Sequence, residues 1–144
     1  MKEIVRYSHC FVCGEQNNSG LKARFFEENG EAITELAADR AFEGYQGIYH
    51  GGIISTLLDE IMIKAILAQG FYVVTAEMTV RYHRPVAIGE KMRFRGRITS
   101  RRGRLFNAEG EVVGSDGTPC ASATGKYVEA KASLRSKLIG SIES

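Results

Sequence analysis

One stretch limits the possible architectures more than any other: residues 53–69, IISTLLDEIMIKAILAQ. It is too long and too continuously apolar for an ordinary strand. Glu60 and Lys64 stand four apart, a spacing that favours a helix, and Gly70 supplies a close. Apolar residues cover most of the circumference, so the helix belongs in the interior. It needs a sheet to bury it.

The flanking segments supply one. Residues 21–28 (LKARFFEE) and 31–39 (EAITELAAD) read as strands around Asn29-Gly30, a strong hairpin signal. After the helix, Val74, Ala76, Met78, Val80 and Tyr82 alternate with Thr75, Glu77, Thr79, Arg81 and His83, which puts Thr75 opposite the core face. Residues 90–100 alternate too, with Met92, Phe94 and Ile98 opposed to Lys91, Arg93, Arg95 and Arg97. A three-residue turn, Arg101-Arg102-Gly103, then leads into the next strand. That register sets Phe94 against Gly110, Ile98 against Phe106, Arg95 against Glu109 and Arg93 against Glu111. A last strand covers 118–129, and residues 131–142 suit a short helix through Leu134, Leu138 and Ile139. The expected class is α+β, with one antiparallel sheet wrapped around one long central helix. Residues 1–144 form one domain, with an N-terminal segment (1–20) and a C-terminal tail or short helix (130–144).

Composition narrows the function classes. The apolar fraction of 44% and the charged fraction of 25% are those of a globular domain rather than a disordered chain. No apolar run reaches the ~18 residues of a membrane span, and no apolar stretch follows the charged N-terminus MKEIVRYSHC. With three cysteines, this argues for reduced thiols and a cytoplasmic location. Between Arg81 and Arg104 stand nine Lys/Arg and one acid, a local +8 in a chain of net charge +2. Such a field suits an anionic small ligand. Nucleic-acid binding would call for exposed aromatics among the arginines, and Phe94 points to the core face.

Chemistry concentrates at the start of the helix. The first turn of a helix presents free N–H groups and a positive dipole end. Gly51-Gly52 let a ligand oxygen approach those amides, where a carbonyl is polarised and an oxyanion stabilised. Asp59 lies seven residues beyond Gly52, about 10.5 Å of rise on nearly the same face, with Ser55 and Thr56 between them. An isolated buried carboxylate is costly and is tolerated where something uses it. A solvated carboxylate, or one paired to an arginine, is the plain alternative. His50, just before the glycines, orients a ligand or caps the helix.

The stretch GIYHGGIISTLLDE (Gly47–Glu60) resembles the signature of hotdog-fold thioesterases of the phenylacetate-degradation type. VTAEMTVRYHRPVAIGE (Val74–Glu90) is similar to their next motif, and CFVCGEQNNSGL (Cys10–Leu21) to a segment found in many members. The resemblance implies a hotdog fold, homodimers joined through residues 73–83 or dimers of these dimers, and interfacial active sites. It implies an acyl-CoA substrate, with coenzyme A present only as part of it and no other cofactor. The amides of Gly51 and Gly52 would then hold the thioester carbonyl, and Asp59 would act as base or nucleophile. His50 would position, and Thr75 would reach in from the neighbouring subunit. Gly44, Tyr45 and Gly47 would border the substrate, and Arg84 and Arg102 would meet coenzyme A phosphates. Many relatives have asparagine where this chain has Gly44. A non-catalytic acyl-CoA sensor on the same fold is the alternative.

Cys10-x-x-Cys13, preceded by His9, invites a zinc reading. A structural zinc site wants four ligands, usually two spaced pairs, and no second pair exists in the sequence. No metal is expected, and the cysteines read as small packing residues near the acyl pocket.

Overall fold

The computed structural model describes residues 1–142. In chain order its elements are β1 (Lys2–Glu3), β2 (Phe26–Glu28), β3 (Glu31–Ala37), α1 (Gly51–Leu67), β4 (Val73–Tyr82), β5 (Lys91–Arg102), β6 (Leu105–Val113), β7 (Pro119–Glu129) and α2 (Ala132–Gly140). One sheet contains all seven strands in the order β1-β2-β3-β5-β6-β7-β4, every neighbouring pair antiparallel. Helix α1 packs across β3, β4, β5, β6 and β7, as its all-round apolar sequence requires. Leu57, Leu58, Ile61, Met62 and Ile66 are fully buried in one core with Met92, Phe94, Phe106 and Val112. Each such side chain contributes about 1.5–3 kcal/mol of apolar burial.

Two glycines seat the helix. Gly96 and Gly110 face each other across β5 and β6. A Cβ on Gly96 would lie 2.6 Å from the Ile61 carbonyl oxygen, and one on Gly110 would lie 3.0 Å from the Ile61 side chain. The backbone of α1 can approach the sheet this closely only over residues without a side chain.

Several local expectations need correction. Of residues 21–28, only Phe26–Glu28 is strand, because the chain before it hydrogen-bonds irregularly with the N-terminal segment. The two-residue β1 carries no sequence signal and is formed by pairing with β2. The β5–β6 turn is the two-residue Gly103-Arg104, with Gly103 at φ +60°. Arg102 therefore pairs with Leu105, and an irregularity between Ile98 and Ser100 shifts the ladder. Phe94 faces Val112, Ile98 faces Ala108, Arg95 faces Glu111 and Arg97 faces Glu109. The ion pairs follow this register: Arg97 joins Glu109, while Arg95 and Arg93 reach sideways to Glu31 and Glu35 on β3. Helix α2 forms but buries no residue, and Leu134 and Ile139 are each 39% exposed. Residues 143–144 of the expected C-terminal tail lie outside the described residues. No described helix is long and apolar enough to cross a membrane.

The consequential correction is in β4. A bulge between Thr75 and Glu77 leaves Ala76 without a partner on β7. The bulge resets the alternation, so Thr75 shares the helix side with Met78, Val80 and Tyr82 rather than opposing them.

Candidate active site

Helix α1 begins at Gly51, and His50 is its N-cap. The His50 Nδ1 accepts the Gly52 N–H at 2.9 Å. This fixes the neutral ring as the tautomer that carries its proton on Nε2. It also corrects one expectation, since the Gly52 amide is spent on the cap. Among the described residues nothing accepts the Gly51 N–H, which stands at the positive end of the helix. Tyr82, read in the sequence only as an alternating strand residue, flanks this amide. Its hydroxyl donates to the Gly51 carbonyl at 2.9 Å and also meets the Ser55 hydroxyl.

A loop closes over the cap. Gly44 donates to the Ile48 carbonyl, and His50 N–H donates to the Phe42 carbonyl. A Cβ on Gly44 would lie 3.2–3.3 Å from His50, so the loop rests on the histidine because position 44 has no side chain. Gly47 turns at φ +78° and donates to the Glu43 carboxylate at 2.6 Å. Gly44, Tyr45, His50, Gly51, Gly52 and Tyr82 share an open cleft of about 670 Å³. Tyr45 is 85% exposed there. Gly47 does not line the cleft but braces its loop through Glu43, which does.

Asp59 is half-buried two turns further along α1. Its Oδ1 accepts hydrogen bonds from Thr75 Oγ1 and from the Tyr127 hydroxyl, both at 2.9 Å. Thr75 thus meets Asp59 of its own chain, because the Ala76 bulge turns it inward. Tyr127 is fully buried and faces Thr75 across the β4–β7 ladder. Burial, and secondarily the Asp59 charge, push its phenol far above the usual tyrosine range, which keeps it a donor. No described donor reaches Asp59 Oδ2. Two hydroxyls thus fix one oxygen of the carboxylate. Neither an arginine nor a lysine pairs with Asp59 among the described residues.

The two halves are too far apart to act on one carbonyl within a chain. Eight residues of α1 separate Gly51 from Asp59, about 12 Å of rise. Both lie beside β4, the ten-residue strand at one end of the sheet, whose outer edge has no partner among the described residues.

The expected arginines divide. Arg84 is engaged: it binds Glu90 through both terminal nitrogens at 3.2 and 2.8 Å, meets Asp116 at 3.4 Å, and donates to Thr118. It ties the turn after β4 to the β6–β7 connection and is not available to a phosphate, contrary to expectation. Its guanidinium holds the Glu90 carboxyl below the usual range. Arg101 stacks on Phe71 and Phe106 and pairs with Glu129. Arg102 is exposed at the hairpin end and makes no ion pair among the described residues.

These features coincide with a known family. Residues 46–121 match the model of the thioesterase superfamily, so the chain belongs to that superfamily. Its fold is the hotdog fold, and the expectation of a thioesterase is met at the level of family. Among solved structures it is similar to a thioesterase superfamily protein at 28% identity and TM-score 0.80, covering 84% of this chain and 63% of that one. It shares its fold with the Escherichia coli PaaI protein of the phenylacetic acid degradation operon (18% identity, TM-score 0.72, 78% and 82% covered). It does so equally with a Streptococcus mutans protein bound to acetyl CoA (23%, 0.71, 75% and 88%). The chain spans less than two thirds of the first of these proteins. No curated protein sequence matches the chain.

Proposed function

We propose that the protein hydrolyses an acyl-CoA thioester to a free acid and coenzyme A, with Asp59 as general base. The observation that carries this reading is the carboxylate itself: Oδ1 is fixed by two hydroxyls, and no described donor engages Oδ2. Asp59 Oδ2 takes a proton from water as the oxygen attacks the thioester carbon. The Gly51 N–H stabilises the oxyanion, the C–S bond breaks, and the proton passes to the departing thiolate.

Because Gly51 and Asp59 of one chain stand about 12 Å apart, the reaction needs Gly51 of one copy beside Asp59 of another. A homodimer paired along the β4 edge, alone or within a dimer of dimers, would supply that arrangement. The nucleotide end would lie against basic surface that includes Arg102, in keeping with the acetyl CoA bound by the Streptococcus mutans relative. No cofactor beyond the substrate's coenzyme A takes part in this scheme.

The test is thiol release from a panel of aliphatic and aromatic acyl-CoAs, with Asp59→Asn beside the wild type. Turnover by the wild type, lost in the variant, supports the reading. Tight binding of acyl-CoA without turnover would instead establish a sensor.

A further inference from the structure

We propose that Cys10, Cys13 and Glu60 bind a thiophilic divalent cation of the zinc class, with Lys64 balancing its charge. In the sequence the two cysteines lack further ligands, but the fold brings Glu60 of α1 to them. The two Sγ atoms and a Glu60 carboxylate oxygen all lie within 4.8 Å of one another. Tetrahedral zinc holds sulfur at about 2.3 Å and oxygen at about 2.0–2.2 Å, which sets ligand atoms about 3.5–3.8 Å apart. The three residues need to close in only slightly.

The surroundings suit a metal more than solvent. Cys13 is fully buried, Glu60 is 8% exposed, and Cys10 is half-buried. Cys10 and Glu60 also line a cleft of about 680 Å³ shared with Tyr7, Ser8 and His9. An ion therefore has a path in, and the fourth tetrahedral position can be filled by water. Two thiolates, a carboxylate and a dication sum to one negative charge. Lys64 offsets it: fully buried, its Nζ lies 3.4 Å from Cys13 Sγ and 3.6 Å from Glu60 Oε2. The lysine is itself held by the Val5 carbonyl at 2.6 Å and by the Tyr7 and Phe25 rings. The rival view makes Lys64 the cluster's sole cation, with no metal at all. A bound ion would fasten the N-terminal segment across α1 at the residue next to Asp59, and would stabilise the folded chain.

The experiment uses the full chain, chelator-stripped and reduced, with its thiols counted first. Titration with Co²⁺ should give one equivalent of binding with a thiolate-to-cobalt charge-transfer band, reversed by Zn²⁺. Zn²⁺ alone should raise the thermal midpoint. Cys10→Ser and Cys13→Ser should abolish the band, Glu60→Gln should raise Kd at least about tenfold, and Cys120→Ser should leave it intact. Should the variants of the buried Cys13 or Glu60 fail to fold, Cys10→Ser, on the cleft wall, still decides. A reduced wild type without the band, or a Cys10→Ser protein with an unchanged one, overturns the proposal and leaves Lys64 as the only cation. None of these readouts depends on thioester hydrolysis, so the result stands apart from the role given to Asp59.

Discussion

Asp59 and Glu60 are consecutive carboxylates on one helix, and their surroundings are opposite. Asp59 looks toward β4 and β7 and meets two neutral hydroxyls, with no described donor on its second oxygen. Glu60, turned about 100° around the axis, looks into the N-terminal segment and is 8% exposed. Burial pushes its carboxyl up to about 7, with the Lys64 ammonium opposing that rise. A single step along α1 thus separates a carboxylate held by neutral hydroxyls from one locked into a charge cluster. Burial alone does not mark a reactive carboxylate; the chemistry of its neighbours does.

The largest expected effect breaks the Asp59 side. Asp59→Asn keeps the shape and both hydroxyl contacts but removes the base, and kcat/KM for the best acyl-CoA should fall by about 10³. A steady-state thiol-release assay reads it, and a loss under about tenfold would make Asp59 a positioning group.

Breaking the Glu60 side should affect stability instead. Lys64→Met removes the only described cation in contact with Glu60 and Cys13, and leaves the Val5 carbonyl unpaired. The loss should be on the order of 3 kcal/mol, read from urea midpoints. Its pH dependence has a definite sign. Without the ammonium, the folded-state Glu60 carboxyl rises further above its unfolded value. The stability it contributes is complete at low pH and vanishes as pH climbs through the folded pKa. The variant should accordingly lose more at about pH 8 than at about pH 5. An equal loss at both would show that Lys64 acts through packing.

The difference between these two acids is partly written in the sequence. The helix, its glycine start and Asp59 stand out because apolar periodicity and a polar stripe are local properties. The β5–β6 register is less legible, because Gly103 serves a two-residue turn as readily as a three-residue one and only the ladder decides. Thr75 shows the same limit. Perfect alternation over 74–83 conceals the bulge at Ala76, so the residue that holds Asp59 looks outward on paper. Tyr127 cannot be linked to Asp59 without that same bulge, and Glu60 joins Cys10 and Cys13 only through long-range packing. Arg84 looks free because Glu90 and Asp116 reach it through two separate turns.

Tyr127→Phe sharpens the comparison by making Asp59 slightly more like an unassisted acid. The ring stays buried and one of two donors to Oδ1 is lost. A hydrogen bond to a charged acceptor is worth about 1.5–3 kcal/mol, and the remaining Thr75 contact should limit the fall in kcat/KM to about tenfold. An unchanged kcat/KM would mean that Tyr127 merely packs.

The smallest effect belongs to the other end of the helix. Tyr82→Phe leaves the ring against Gly51 but removes the hydroxyl that joins the Gly51 carbonyl to Ser55. The Gly51 N–H is untouched, so the oxyanion keeps its donor and only the seating of the first helical turn loosens. One neutral hydrogen bond of this kind is worth about 1 kcal/mol, and part of that returns as water reaches the half-exposed carbonyl. A fall in kcat of about threefold with KM little changed is therefore expected, measured on the same acyl-CoA as Asp59→Asn. A loss comparable to that of Asp59→Asn would instead place the Tyr82 hydroxyl on the substrate, and would move the centre of the reaction from the carboxylate to the start of α1.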